Sequence, residues 1–515
     1  MDLSVVLTAF QEVLHPTMLL YIVIGVFFGI VAGAIPGFTF TMALILAFPF
    51  TFGMEPIQGL ALMIGIYIGG LSGGLISSIL LGIPGTPSSV VTTFDGYPMT
   101  KNGEAPRALG IGIVSSVIGT FIGAIILFLL GPIIAKGSLL FGPWEIFSLV
   151  VFALTLIAGL SGKSMLKGLI AGCLGLLIGT IGISPSGTLR FDFGVPELSS
   201  GFSALPVLIG LFAVSQLLTN IEELKQKLTK QESITFRQRV RIPYRKVFKD
   251  LYKNKWNALR SSLIGCFIGC LPAAGAESAN FISYDQAKKF SKQKDQYGKG
   301  HPGGIIASET SNNAVAGGAF IPTITLGIPG DVAQAIMIGA LILHGINPGP
   351  ALFNQQPILV NSIYVVIILS GIAVFFIQTL LLPLFTRITF IPKSLLVPSI
   401  LLLSSVGAFA LNNRMFDIWL VLLFGLLGFF FQKIDIPLSP IILGLILGPT
   451  LEKEMTRAFQ MDASFLPFLT RPISFLFLVL AVISIIFTFI QLRKQQERNK
   501  ENKQIEGYSM NNKTI

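Results

Sequence analysis

Glu309, Asn312 and Asn313 stand at i, i+3 and i+4 in an otherwise apolar stretch, so on a helix they share one face. Ser308 and Ser311 lie beside them. A second polar group follows a helix-breaking pair, Gly85, Thr86, Ser88 and Ser89 in Ile-Pro-Gly-Thr-Pro-Ser-Ser. A third is Asp331, directly after Gly330. Thr39 and Thr41 follow Pro36-Gly37, and Glu277, Ser278 and Asn280 follow Gly275. Hydroxyls and amides can donate to an oxyanion and accept from a cation, so these residue types suit an anion and a metal cation bound side by side. Almost all are neutral, as reversible binding requires. The exceptions are the acids Glu277, Glu309 and Asp331, and an acid inside a membrane segment is a functional candidate by default.

The elements that must carry these groups are membrane spans. Of 515 residues, 52% are hydrophobic and 12% charged, a balance that no soluble domain of this size sustains on its surface. Apolar runs long enough to cross a bilayer, roughly 20 residues each, recur along the chain, as at 109–130, 358–382 and 472–492. The first sixteen residues carry no Lys or Arg before the first long apolar run, so they lack the basic start of a cleaved signal peptide and are read as mature chain. Cys173, Cys266 and Cys270 lie in apolar segments without His or carboxylate clusters and read as core residues. The net charge of +11 sits in short loops, where it marks topology, and it is not read as a nucleic-acid surface. The basic stretch 225–255 is the expected cytoplasmic loop and suits anionic membrane lipid.

Two signatures occur twice and in the same order. Gly33-Ala-Ile-Pro36-Gly37 is echoed by Gly269-Cys-Leu-Pro272-Ala273, and Leu81-Gly-Ile-Pro84-Gly85 by Leu326-Gly-Ile-Pro329-Gly330. Loop charge gives the two halves opposite directions. After the first signature, residues 51–58 hold no Lys or Arg, whereas the second copy is followed by Lys288, Lys289, Lys292, Lys294 and Lys299. After the second signature the order reverses, with Lys101 and Arg107 in the first half and none at 345–357 in the second. The expected fold is an all-α integral membrane protein with about eleven crossings and two re-entrant hairpins, in two inverted repeats with broken helices.

The expected first repeat, 1–220, has a hairpin at 17–50, a broken helix at 57–100 and four spans. A basic cytoplasmic linker at 221–258 follows. The second repeat, 259–492, has a hairpin at 259–284, a broken helix at 305–345 and five spans. A disordered cytoplasmic tail, 493–515, closes the chain. This places the N-terminus outside and the C-terminus in the cytoplasm. Non-helical backbone survives in a membrane only where protein or a cavity covers it, so the breaks are the candidate site. Half-helix N-termini there suit carboxylates and half-helix C-termini suit Na⁺. The candidate substrate set is Pro36, Gly37, Thr39, Gly85, Thr86, Ser88, Ser89, Gly275, Ser278, Asn280 and Gly330. The candidate cation set is Thr41, Glu309, Ser311, Asn312, Asn313 and Asp331. The plainer reading is that small residues let helices pack closely and that Ser88 or Asp331 caps a helix. His301, beside the basic loop, is expected to be solvated.

Three blocks, residues 66–98, 298–314 and 326–335, resemble the large membrane subunit of the tripartite tricarboxylate transporters, the TctA family, with motif order kept over about 20–450. The resemblance implies a permease of a secondary system in a bacterial inner membrane. It also implies a small four-span membrane subunit, an extracytoplasmic solute-binding protein, a carboxylate such as citrate and a coupling cation, usually Na⁺. No cofactor and no catalytic set is expected, and homo-oligomerisation is left open. No Gly-x-x-x-x-Gly-Lys-Ser/Thr occurs, in keeping with gradient-driven transport. Ala273 stands where the family pattern has Gly after Pro. Alternatives are a single-component carrier without a binding protein, a channel, and an intramembrane aspartyl protease. The last is disfavoured because Asp285 sits at the edge of a Lys-rich loop instead of facing Asp331.

Overall fold

The computed structural model describes residues 3–160, 165–226, 241–272, 274–388 and 393–486. The expected tail at 493–515 and the middle of the linker lie outside them. The chain runs as helices α1 (Leu3–Val13), α2 (Pro16–Ala34), α3 (Phe40–Thr51), α4 (Pro56–Leu81), α5 (Val90–Lys101), α6 (Ala105–Ser138), α7 (Pro143–Leu160) and α8 (Met165–Gly179). A two-stranded hairpin, β1 (Gly182–Ile183) with β2 (Leu189–Arg190), interrupts the helices. Then come α9 (Ala204–Leu208), a π-turn at Ile209–Val214, α10 (Ser215–Gln226), α11 (Tyr244–Lys253), α12 (Lys255–Gly269), α13 (Gly275–Phe290), α14 (Pro302–Leu326) and α15 (Val332–Leu343). Next come α16 (Leu352–Gln355), α17 (Pro357–Ile388), α18 (Lys393–Asn412), α19 (Met415–Lys433), α20 (Leu438–Met461) and α21 (Leu466–Thr470), and the described residues end in an apolar helix at Pro472–Ile486. Five helices among the described residues are long and apolar enough to span a membrane: Pro16–Ala34, Pro56–Leu81, Ala105–Ser138, Pro357–Phe385 and Met415–Lys433. The protein is all-α and membrane-embedded. The basic linker is not featureless, because it contains α11, whose Val247 and Leu251 are buried while Phe248 and Tyr252 are exposed.

Local sequence explains where the central helices stop. α4 ends at Gly82 (φ 67°) and α14 at Gly327 (φ 69°), both left-handed C-caps that residues with a side chain adopt only at a cost. Each is followed by Ile-Pro-Gly, and proline cannot donate the amide a continuing helix needs. Restart signals then follow. Thr86 and Ser89 form a reciprocal capping box ahead of α5, and the Asp331 side chain caps α15 by accepting from Gln334 N at 2.9 Å. The α2–α3 turn ends on Thr39, whose hydroxyl accepts from Met42 N at 3.3 Å. The α12–α13 turn ends at Gly275.

By packing, the chain forms two compact units, one of Met1–Leu140 with Phe202–Phe431, the other of Phe141–Gly201 with Gln432–Ile515. Both draw on segments from either side of the basic linker, so packing groups the chain differently from sequence order. In the first unit α4 and α14 are the central helices, buried from Gly59 to Leu80 and from Gly303 to Thr325. Glycines let their neighbours approach to backbone contact. A Cβ at Gly29 or Gly33 of α2 would strike the carbonyl oxygen of Ile66 or Gly70 on α4, and one at Gly265 or Gly269 of α12 that of Ser311 or Val315 on α14. The register is the same twice: Gly265 and Gly269 stand 236 positions after Gly29 and Gly33, and Ser311 and Val315 stand 245 after Ile66 and Gly70. In the second unit the Glu145 carboxylate accepts from Gly142 N at 2.8 Å and pairs with Arg471, whose guanidinium lies 4.8 Å over the Trp144 ring. Arg190 pairs with Glu452 at 2.8 Å.

Candidate functional site

Both helix breaks lie in the first unit, and each is met by a polar side chain from the opposite half of the sequence. At the first break, Thr86, Ser88 and Ser89 are buried. Ser78 of α4 donates to the Ser89 carbonyl at 3.1 Å and to its hydroxyl at 2.9 Å. Asn280 of α13, fully buried, donates through Nδ2 to the Ser88 carbonyl at 2.6 Å and keeps Oδ1 without a partner. At the second break, Asp331 accepts from the Tyr67 hydroxyl of α4 at 2.6 Å. The Tyr67 ring packs at 5.7 Å against Phe40, the first residue of α3.

Between the breaks runs a buried polar layer on α14. Glu309, fully buried, accepts from Thr92 of α5 at 2.5 Å and from Ser116 of α6 at 3.1 Å. Asn312 donates through Nδ2 to the Leu71 carbonyl of α4 at 2.8 Å, and Asn313 to the Glu309 carbonyl of its own helix at 3.2 Å. Asn312 Oδ1, Asn313 Oδ1 and Ser311 Oγ are buried without a hydrogen-bond partner. Ser72 of α4 extends the layer, donating to Gln378 Oε1 of α17 at 3.2 Å. Unpaired buried polar atoms are costly, and three such oxygens fall on successive residues of one helical turn here.

The sequence-derived candidates divide accordingly. Thr86, Ser88, Ser89, Asn280, Gly85 and Gly330 gather at the breaks, and Glu309, Ser311, Asn312 and Asn313 in the layer between. Gly85 lies against the Gly33 carbonyl and Gly330 against that of Gly269, so each break rests on its own hairpin. Asp331 is a helix cap as well as the Tyr67 partner. Pro36, Gly37, Thr39, Thr41, Gly275 and Ser278 are half-buried on the hairpins, and Thr39 is used as a cap. His301 is not simply solvated. It caps α14, accepting from Gly303 N at 3.0 Å, and its ring stacks on Tyr297 at 4.5 Å. Burial pushes its imidazole below the usual range, against the raising influence of Asp95 and Asp250.

The model of the tripartite tricarboxylate transporter TctA family matches residues 19–443, a stretch that contains both breaks and the layer between them. The chain belongs to the TctA family. Among relatives of this TctA chain, the uncharacterised 52.8 kDa protein in the TAR-I ttuC' 3' region of Agrobacterium vitis is 30% identical over 492 residues, covering 95% of this chain and 97% of the relative. An uncharacterised protein in the TAR-II ttuC' 3' region of the same organism is 34% identical over 229 residues, 44% of this chain and 94% of the relative. No solved structure matches.

Four residues bonded to the breaks, the polar layer or the loop before α14 escape a reading of the sequence: Tyr67, Thr92, Ser116 and Asp95. Asp95 Oδ1 accepts from the amides of Gly298, Gly300 and His301 at 2.8 to 2.9 Å, and Oδ2 from the Tyr284 hydroxyl at 2.8 Å. It thereby ties the loop before α14 to α5. The rule that singles out Glu309 as an acid in an apolar segment applies equally to Asp95.

Proposed function

We propose that this permease imports a tricarboxylate or related carboxylate by Na⁺ symport, receiving it from an extracytoplasmic solute-binding protein and working with a small four-span membrane subunit. The observation that carries the reading is the set of partnerless buried oxygens, Ser311 Oγ, Asn312 Oδ1 and Asn313 Oδ1, one turn from the Glu309 carboxyl. Hard oxygen donors of this kind replace the hydration shell of a small cation. Electrostatics then separates the two ligands. The second break already holds the Asp331 carboxylate at the start of α15, which repels a second anion and favours a cation. The first break offers neutral hydroxyls from Thr86, Ser88 and Ser89 and no acid, which favours the substrate carboxylate.

The two halves are read as an inverted duplication with the N-terminus outside and the C-terminus in the cytoplasm, in about eleven crossings. The twofold recurrence of the glycine register supports the duplication, and loop charge supports the inversion. The test is uptake of labelled carboxylates into proteoliposomes containing the permease with its neighbouring-gene partners. Accumulation that needs both an inward Na⁺ gradient and the binding protein is expected. Equal uptake with K⁺ in place of Na⁺ removes the coupling, and equal uptake without the binding protein favours a single-component carrier.

A further inference from the structure

The helix α11 inside the basic linker carries an aromatic row on its outer side. Phe248 and Tyr252 of α11 and Trp256 at the start of α12 follow one another at i, i+4 and i+8, and all are exposed, Tyr252 and Trp256 by 72% each. Lys255 holds the last two rings together, its Nζ 4.8 Å over Tyr252 and 5.9 Å over Trp256. Beside the row stand Arg245, Lys246, Lys249 and Lys253, every one exposed. The single acid of α11, Asp250, turns the other way and pairs with Arg107 of α6 at 2.8 Å. Val247 and Leu251 are buried, Val247 against Gly110 of α6. A patch of large exposed aromatics marks an interaction surface, and a rim of cations sets the sign of its partner.

The contacts of α11 put it across the ends of membrane helices. Its first residue, Tyr244, is hydrogen-bonded to Thr379 at 2.6 Å, close to where the apolar span of α17 ends at Phe385. Asp250 meets α6 in its first turn, and Asn257, just past α11, donates through Nδ2 to the Gly303 carbonyl in the first turn of α14 at 2.9 Å. The aromatic row then runs on along α12, where Leu259, Leu263 and Phe267 are exposed on the side opposite Gly265 and Gly269, which face α14. On a membrane-embedded protein such an outer apolar row faces lipid. We propose that α11 is an interfacial anchor for anionic lipid, with its aromatic row at the boundary of headgroups and acyl chains and its cations on the lipid phosphates. The occupant is the bilayer because the row continues the outer face of α12, and because tyrosine and tryptophan, with apolar bodies and polar tips, settle at that depth. Tied to α6, α14 and α17 through Arg107, Gly303 and Thr379, the anchor sets the ends of these helices against the membrane surface. It does not depend on which solute or ion crosses.

The test uses the full-length permease with Trp144→Phe and Trp419→Phe, which leaves Trp256 as its sole tryptophan. It is reconstituted in phosphatidylcholine vesicles with a minor, fixed fraction of lipid brominated near the top of the acyl chains, either phosphatidylglycerol or phosphatidylcholine. Trp256 emission is expected to be quenched by both, at least about twofold more strongly by the brominated phosphatidylglycerol. Raised salt is expected to shrink that preference, and the combined Arg245→Gln, Lys249→Gln and Lys253→Gln variant to remove it. Quenching by aqueous acrylamide but by neither lipid means a solvated row. Protection from acrylamide and from both lipids means that protein, a second copy included, covers it. Either result overturns the proposal, as does equal quenching by the two lipids or a preference that survives salt and the charge variant. The comparison of lipids and of salt needs no charge variant, so it decides the matter even where that variant fails to fold.

Discussion

Asn312 and Asn313 use their amide nitrogens to hold backbone carbonyls and leave their oxygens bare, which fixes the side chains with oxygens free for the proposed cation. Asn312→Ala and Asn313→Ala are each expected to raise the Na⁺ concentration for half-maximal uptake at least about tenfold, equivalent to about 1.4 kcal/mol of lost binding. Uptake titrated with Na⁺ in proteoliposomes measures this, and an unchanged half-maximal concentration in both removes them from the site. His301 gives a prediction about pH. Burial holds its folded imidazole below the usual histidine range, so its stabilising contribution is full above that range and fades as pH falls through the lowered folded pKa. Exchange of the Gly303 amide, corrected for intrinsic rate, is expected to accelerate from about pH 7.5 to about 5.5. The titratable cap is absent in His301→Asn, which should show no such trend. The α14 polar set was legible in the sequence because polar groups in an apolar helix are conspicuous. Tyr67, Thr92 and Ser116 were not, since their partners Asp331 and Glu309 lie 193 to 264 positions away and no local spacing signals the pairing.

Elements were legible where the chain announces its interruptions. Leu-Gly-Ile-Pro-Gly marks both helix breaks, and the structure ends α4 and α14 at the second residue of that motif in each case. Less legible were α11 inside the basic linker, the π-turn at Ile209–Val214 and the hairpin of β1 with β2. Charge density hid the first, and the others are short irregularities set by packing rather than by period. Helix pairing rests on glycines that admit a neighbouring backbone. Gly33→Leu, facing the Gly70 carbonyl, and Gly269→Leu, facing that of Val315, are each expected to cost about 2 kcal/mol or more. Gly172→Ala in α8, where nothing stands within 4 Å, is expected to be neutral or to stabilise by about 0.5 kcal/mol. Thermal unfolding of the detergent-solubilised chain separates them, and equal midpoints for all three contradict the packing account.

The whole molecule is an all-α membrane protein of the TctA family whose first unit holds the entire candidate site. Charge in loops carried the proposed orientation, whereas the grouping into two packing units had no signature along the sequence because it depends on which distant helices meet. With a cysteine-free background, Asn354→Cys is expected to react with impermeant maleimide from outside in intact cells, and Lys292→Cys only after the membrane is opened. The reverse pattern overturns the inverted arrangement. The tie between Asp95 and the loop at 298–301 has a consequence for how the chain is made. Its two sides are 203 to 206 positions apart, so α5 is synthesised and inserted long before its partners exist. Until then Asp95 lacks the amides it accepts from in the folded chain, and the Thr92 hydroxyl lacks Glu309, which arrives with α14. A chain terminated within the linker therefore lacks the groups that answer Asp95 and Thr92 in the folded protein.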